Sequence, residues 1–151
     1  MKSDDSLKQA EALFAALEAE FAHLRGALIH TPGGAVDLAL ECEAPPELPF
    51  PVTASLQGDE LCLQVGEAFW CEWFPSSEAA VIAEYADVVR GVLSGEIRLV
   101  EFHCGGRAVK AELQRRENGS WRILARWRTA HLPSLAPTET RVLQKVRAAN
   151  S

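Results

Sequence analysis

The chain has 151 residues, 48% of them hydrophobic and 24% charged, a composition that suits one globular domain and argues against a disordered chain. A mean hydropathy of -0.04, with no apolar run of about 18 residues, excludes a spanning helix. The formal charge of -6 argues against a general nucleic-acid binder. The start, Met1-Lys2-Ser3-Asp4-Asp5, carries acids and no apolar core, so it does not read as a secretory signal and a cytoplasmic location is expected.

Leu7, Ala10, Leu13, Phe14, Leu17, Phe21, Leu24 and Leu28 recur at helical spacing, with Lys8, Glu11, Glu18 and Arg25 between them. The pattern predicts a long amphipathic helix over about 5–29, with Asp4, Asp5 and Ser6 at its start and Thr31-Pro32-Gly33-Gly34 as its stop. His23 and His30 then fall on its surface and at its end. The stripe is too short for a coiled coil and is expected to pack on a sheet.

Val36, Leu38, Leu40 and Cys42 alternate with Asp37, Ala39, Glu41 and Glu43, as a strand with one wet face does. Ala44-Pro45-Pro46-Glu47 breaks it. A two-residue turn at Gly58-Asp59 pairs Leu56 with Leu61 and Ala54 with Leu63. A three-residue loop, Gly66-Glu67-Ala68, then sets Phe69 beside Val65 and Trp73 beside Leu61, because a shorter loop would put Glu72 in the core position.

The segment Phe69-Trp70-Cys71-Glu72-Trp73-Phe74 has four large aromatics. Alternation puts Phe69, Cys71 and Trp73 on one face and Trp70, Glu72 and Phe74 on the other. The run reads first as a central strand covered on both sides. The other reading leaves Trp70 and Phe74 uncovered as a contact patch for a protein partner or a second copy of the chain. Next comes a helix, capped by Ser76, with Glu78 in its first turn, a core stripe of Ile82, Tyr85, Val89 and Val92, and Ser94-Gly95 as its end.

Gly105-Gly106 joins Ile97–Cys104 to Arg107–Arg116 in a hairpin with Phe102 opposite Val109 and Val100 opposite Ala111. For the next hairpin, a two-residue Asn118-Gly119 turn would mix the faces, so a three-residue loop from Glu117 to Gly119 is expected, with Leu113 opposite Ile123 and Val109 opposite Trp127. The inner face is then Val100, Phe102, Val109, Ala111, Leu113, Trp121, Ile123 and Trp127. The outer face shows Lys110, Gln114, Arg122, Arg126 and Arg128, a candidate anion-binding surface. Thr138 begins a predicted final helix over about 138–148 that carries Arg141, Lys145 and Arg147, with Leu143 and Val146 on its thin apolar face.

The expected architecture is α+β, a single domain over 1–151. It has one antiparallel sheet of about seven strands, a four-strand meander, a crossover helix and a three-strand meander, with helices mainly on one face. In element order and acidity this resembles small type III secretion chaperones and several toxin-immunity proteins, although no motif here matches either family. The resemblance implies a chaperone-like or immunity-like protein-binding module.

Phosphate-loop, dinucleotide, hydrolase-elbow and zincin motifs are all lacking, so no cofactor and no catalytic residue is assigned and an enzyme is not the leading expectation. Cys42, Cys62, Cys71 and Cys104 include no C-x-x-C pair and read as free buried thiols, with neither a metal site nor a disulfide framework. Glu101 and His103, expected on the outer face, form a weak polar site where an acid could orient an imidazole. They support the alternative of a small enzyme or an anion- or small-ligand-binding domain.

Charge divides along the chain. Residues 1–101 carry 18 acids and 5 bases, a balance of -13, and residues 102–151 carry 3 acids and 10 bases, a balance of +7. Nucleic acid is nonetheless not expected as a partner, because Trp121 and Trp127 alternate to the face opposite Arg122, Arg126 and Arg128 and so could not stack bases beside them.

Overall fold

The computed structural model describes residues 2–21, 27–30, 38–42, 48–129 and 139–145. Helix α1, Lys2–Glu20, buries Ala10, Phe14, Leu17 and, just past its end, Phe21, the predicted stripe. Asp4, Asp5 and Ser6 lie inside it and do not cap it. It also ends sooner than the periodicity suggests. Ala27–His30 forms strand β1, so Leu28 and His30 belong to a strand and not to a helix. Gly26 in the sequence costs a helix about 1 kcal/mol relative to alanine, and the apolar run after it is short enough for a strand. His23, Leu24 and the Thr31–Gly34 stop lie outside the described residues, as does the Pro45-Pro46 break.

Strands β2 (Leu38–Cys42), β3 (Val52–Gln57), β4 (Glu60–Val65) and β5 (Phe69–Trp73) continue an antiparallel meander in the order β1-β2-β3-β4-β5. The registers follow the sequence pattern: Leu56 faces Leu61, Ala54 faces Leu63, Val65 faces Phe69 and Leu61 faces Trp73. Gly58 takes the positive φ of 58° that a tight hairpin needs. Beside it, Asp59 Oδ1 accepts hydrogen bonds from the backbone N–H (3.1 Å) and the hydroxyl (3.0 Å) of Ser76. Ser76 therefore clips the chain after β5 to the β3–β4 turn and is not the helix cap.

Helix α2, Ala79–Ser94, takes Glu78 as its N-cap, without a side-chain bond, and ends in a left-handed Gly95. Its buried stripe holds Tyr85, Val89 and Val92 as predicted, with Ile82 half-buried. The Tyr85 hydroxyl donates to the Cys62 carbonyl at 2.8 Å, and its ring lies 6.2 Å from Phe14 and 5.2 Å from Trp73. One cluster thus joins both helices to the apolar face of this sheet.

Strands β6 (Ile97–Cys104), β7 (Arg107–Glu117), β8 (Ser120–Arg128) and β9 (Glu139–Leu143) form a second antiparallel sheet in the order β8-β7-β6-β9. The class is α+β, but the described residues hold nine strands in two sheets where one sheet of about seven was expected. β5 and β6 do not pair across α2, so β5 is an edge strand and not a central one. The predicted final helix is instead β9, paired with β6 from Leu99↔Leu143 to His103↔Glu139. Thr140 and Val142 are β-branched and alternate with Glu139, Arg141 and Leu143, which suits a strand. Thr138, Val146 and Arg147 lie outside the described residues. Ile97, Leu99, Ala111 and Leu113 of the second sheet enter the same core cluster as α1, α2 and the first sheet. Among the described residues no helix is long and apolar enough to cross a membrane.

Candidate functional site

Two bulges decide what each face of the second sheet presents. Gly105 and Gly106 have φ of 61° and 80°, and Asn118 and Gly119 have φ of 51° and 81°, so both hairpins close through two-residue turns of the type that twisted strands favour. A three-residue Glu117–Gly119 loop is not formed: Glu117 faces Ser120 and Arg116 faces Trp121. The mixing of faces that this turn implies is resolved further along, where Leu113 faces Ala125, Gln114 faces Ile123 and Leu124 is the extra residue. On the other side of β7, His103 faces Ala108 and Phe102 faces Lys110, so Val109 is extra. Each bulge shifts the alternation by one residue.

β7 keeps its predicted inner set, Val109, Ala111 and Leu113, all buried. β6 is inverted: Ile97, Leu99, Glu101 and His103 point inward, and Val100 and Phe102 lie on the outer face. On β8, Leu113 faces Ala125 and Ala111 faces Trp127, while Trp121 and Ile123 move to the outer face.

The outer face therefore differs from the expected one in composition. Arg98, Lys110, Arg116, Arg126 and Arg128 are its cations. Arg122 instead faces Arg115 on the inner side. With Arg115 and Asp87, which are ion-paired at 2.6 Å, it lines a cavity of about 400 Å³ beside β5 and α2. Glu112 is the one carboxylate among the described residues of the outer face, and it is buried. It accepts from Gln114 Nε2 at 3.1 Å and lies 3.6 Å from Lys110 Nζ and 3.5 Å from Arg126 Nε. The Arg98 guanidinium donates to Gln114 at 2.9 Å and lies 3.9 Å from the centre of the Trp121 ring, and Lys110 lies 4.9 Å from that of Phe102. Cations thus stack on rings that are themselves half-buried. Ile123 and Val142 are exposed on the same face.

Arg98 and Glu112 had not been singled out from the sequence. The signal was in Asn118-Gly119, whose preferred use is the two-residue turn; accepting that turn forces a bulge and brings Trp121 and Arg98 to one face. The argument that Trp121 lies opposite the cations fails for Arg126 and Arg128, whereas Trp127 does face inward.

Glu101 and His103, expected on the wet face, are each only 6% exposed. The imidazole Nε2–H donates to Glu101 Oε1 at 3.2 Å. The pair lies beneath a cleft of about 760 Å³ between the inner face of the second sheet, the β4–β5 turn and Pro49–Pro51. Opposite them in register stand Arg141 and Glu139 of β9, joined by two bonds of 3.1 and 3.4 Å. The bonds from Arg141, then its charge, hold the Glu139 carboxyl below its ordinary range; Glu139 in turn raises the guanidinium. Glu67 and Arg107 line the same cleft. Carboxylates and guanidiniums thus both line the cleft above Glu101 and His103.

Trp70 and Phe74 are 51% and 64% exposed on the outer side of β5, while Phe69 is fully buried and Trp73 packs half-buried on the core. The run is covered on one side only. Cys42 and Cys62 are buried, Cys71 and Cys104 half-buried, and all four are free thiols. Burial raises the thiols of Cys42, Cys62 and Cys71 above their ordinary value, the opposite of what an activated nucleophile needs. No group of three or more metal-ligating side chains occurs among the described residues. No known protein family matches the chain, and neither a curated protein nor a solved structure matches it.

Proposed function

We propose that the chain is a protein-binding module whose second sheet receives an acidic, partly apolar segment of a partner on its outer face. The observation that carries the proposal is the grouping of Arg98, Lys110, Arg126 and Arg128 on one open sheet face whose only described carboxylate is the buried Glu112. Charge complementarity selects an acidic occupant. The exposed Ile123 and Val142 favour one that also carries apolar side chains. A polynucleotide fits less well: the Trp121 and Phe102 rings are already covered by cations, and the chain's net charge of -6 repels a polyanion at long range. Four free thiols suit a reducing, cytoplasmic setting. A chaperone-like or immunity-like role, in which such a segment is held away from other contacts, fits the same surface.

Fluorescence anisotropy with a labelled peptide alternating Glu and Val tests the proposal. Binding is expected, and Arg126→Glu with Arg128→Glu should weaken it by at least about tenfold, while Arg122→Ala, on the other face, should not. Equal binding by the double variant, or tighter binding of oligouridine than of the peptide, would overturn it. A second reading rests on the exposure of Trp70 and Phe74: these two aromatics form a self-association patch on β5, most simply in a twofold dimer.

A further inference from the structure

β6 places a carboxylate and an imidazole, Glu101 and His103, in the inward row that Ile97 and Leu99 begin. Burying ionisable groups where aliphatic ones would pack is costly, and the 3.2 Å bond between the two offsets part of that cost. They are not sealed in, since both line the cleft of about 760 Å³, a size within the range of small-molecule sites. Four charged side chains line that cleft, Glu67 and Glu101 against Arg107 and Arg141, so its occupant needs no net charge.

The charges are not evenly spread. Arg141 is bonded to Glu139, which faces His103, and interacts electrostatically with Glu101 and Glu67, so two lining carboxylates flank one guanidinium at the Glu101 end. Arg107 belongs to the opposite end, at the β6–β7 turn, where it faces Cys104. Glu101 lies three residues back along β6, which is about 10 Å at the rise of a strand. One end of the cleft is thus carboxylate-rich and the other is marked by a guanidinium. Between them, Trp127 and Pro51 offer apolar wall and Thr129 a hydroxyl.

We infer that the cleft binds an extended zwitterion, its ammonium between Glu101 and Glu67 and its carboxylate at Arg107. Three extended residues span about 10 Å, so a tripeptide with free ends has the required reach. Peptide termini are recognised by charge and backbone bonds of this kind elsewhere in proteins. The site is separate from the outer face of the same sheet and does not depend on it.

The probes are trialanine, N-acetyl-trialanine, which lacks the ammonium, and trialanine amide, which lacks the carboxylate. Binding is read from the Trp127 indole NMR signal, assigned with Trp127→Phe. Trialanine should bind at least about tenfold more tightly than either capped form, the equivalent of about 1.4 kcal/mol. Arg107→Ala should reduce trialanine to the affinity of its amide. Glu67→Gln, on an exposed turn, should weaken it without altering the fold, and Glu101→Gln should do so more strongly wherever its amide spectrum remains native. Equal affinity for all three peptides, no shift of the Trp127 signal at about 10 mM peptide, or an Arg107→Ala variant that binds trialanine normally would overturn the inference.

Discussion

Gly91 tests how tightly α2 is held on the second sheet. A methyl group built there would come within 2.6 Å of Ile97 Cγ1 and 3.3 Å of its Cβ, and closer still to Cδ1. Two effects of opposite sign compete in Gly91→Ala. An exposed helical glycine gains about 1 kcal/mol on becoming alanine. Overpacking a well-filled core costs about 1–3 kcal/mol, and Ile97 is fully buried with its Cβ fixed to the strand backbone. The overlap involves three atoms of one residue and not just a mobile tip, so the upper part of that range applies, and Gly91→Ala should lose about 1–2 kcal/mol net. Ile97→Ala removes Cγ1 and Cδ1 and itself costs about 2–5 kcal/mol. In that background only the 3.3 Å approach to Cβ remains, and Gly91→Ala should stabilise by up to about 1 kcal/mol. Urea denaturation of the four proteins closes the cycle. A stabilising Gly91→Ala in the wild-type background would refute the close packing of α2 on β6.

Trp73→Ala should cost about 3 kcal/mol, the low end of the range for large aromatics because the ring is half-buried; an unchanged denaturation midpoint would mean that its contact with Tyr85 carries nothing. Asp59→Ala leaves the buried Ser76 hydroxyl short of a partner, while the Ser76 N–H keeps its 2.9 Å bond to the Asp59 carbonyl, and should cost about 1 kcal/mol, measurable in the same assay. The thiols of Cys42, Cys62 and Cys71 and the Tyr85 phenol are raised above ordinary values of 9.0 and 10.0, chiefly by burial. They ionise first in the unfolded chain, so their contribution to stability is complete below about pH 9 and is lost as pH rises beyond it; a denaturation midpoint flat from about pH 9 to 10 would contradict this. Trp70→Glu with Phe74→Glu should turn a dimer into a folded monomer by light scattering, whereas a wild-type monomer at high concentration rejects the dimer and unfolding of the variant returns both rings to the core.

The first sheet was legible because turn chemistry and hydrophobic alternation agree there: Gly58-Asp59 and the Gly66–Ala68 loop each leave one register that buries Leu61, Leu63 and Phe69. The second sheet was half legible. Its hairpins and the inner set of β7 follow from the pattern, but a bulge is one extra residue with no composition of its own, and here two bulges reassign β6 and part of β8. The polar site moves for that reason, since Glu101 and His103 alternate with Val100 and Phe102 and hydrophobic alternation alone favours the apolar pair inside. The ends failed differently. Leu28 continues the α1 stripe by coincidence, and Arg141 and Lys145 have helical spacing although β-branched Thr140 and Val142 favour a strand.

The charge division along the chain becomes, in the fold, a division between faces. The basic C-terminal third does not form one cationic body: Arg115 and Arg122 turn inward toward Asp87 and Glu117, Arg141 is held by Glu139, and Arg98 comes from the acidic part to join Arg126 and Arg128. The outer face is consequently positive on a molecule of net charge -6. At physiological salt the screening length is about 8 Å, shorter than the distance across a domain of this size, so an acidic segment already on the face responds to Arg126 and Arg128 and little to the distant acids. At about 0.01 M salt the screening length grows to about 30 Å, and the whole charge is felt during approach. Association with the Glu-Val peptide should therefore slow as salt is removed, while dissociation also slows because the local ion pairs strengthen. Stopped-flow anisotropy separates the two rates. An association rate that rises steeply at low salt would mean that the cationic face governs the far field as well, contrary to the net charge.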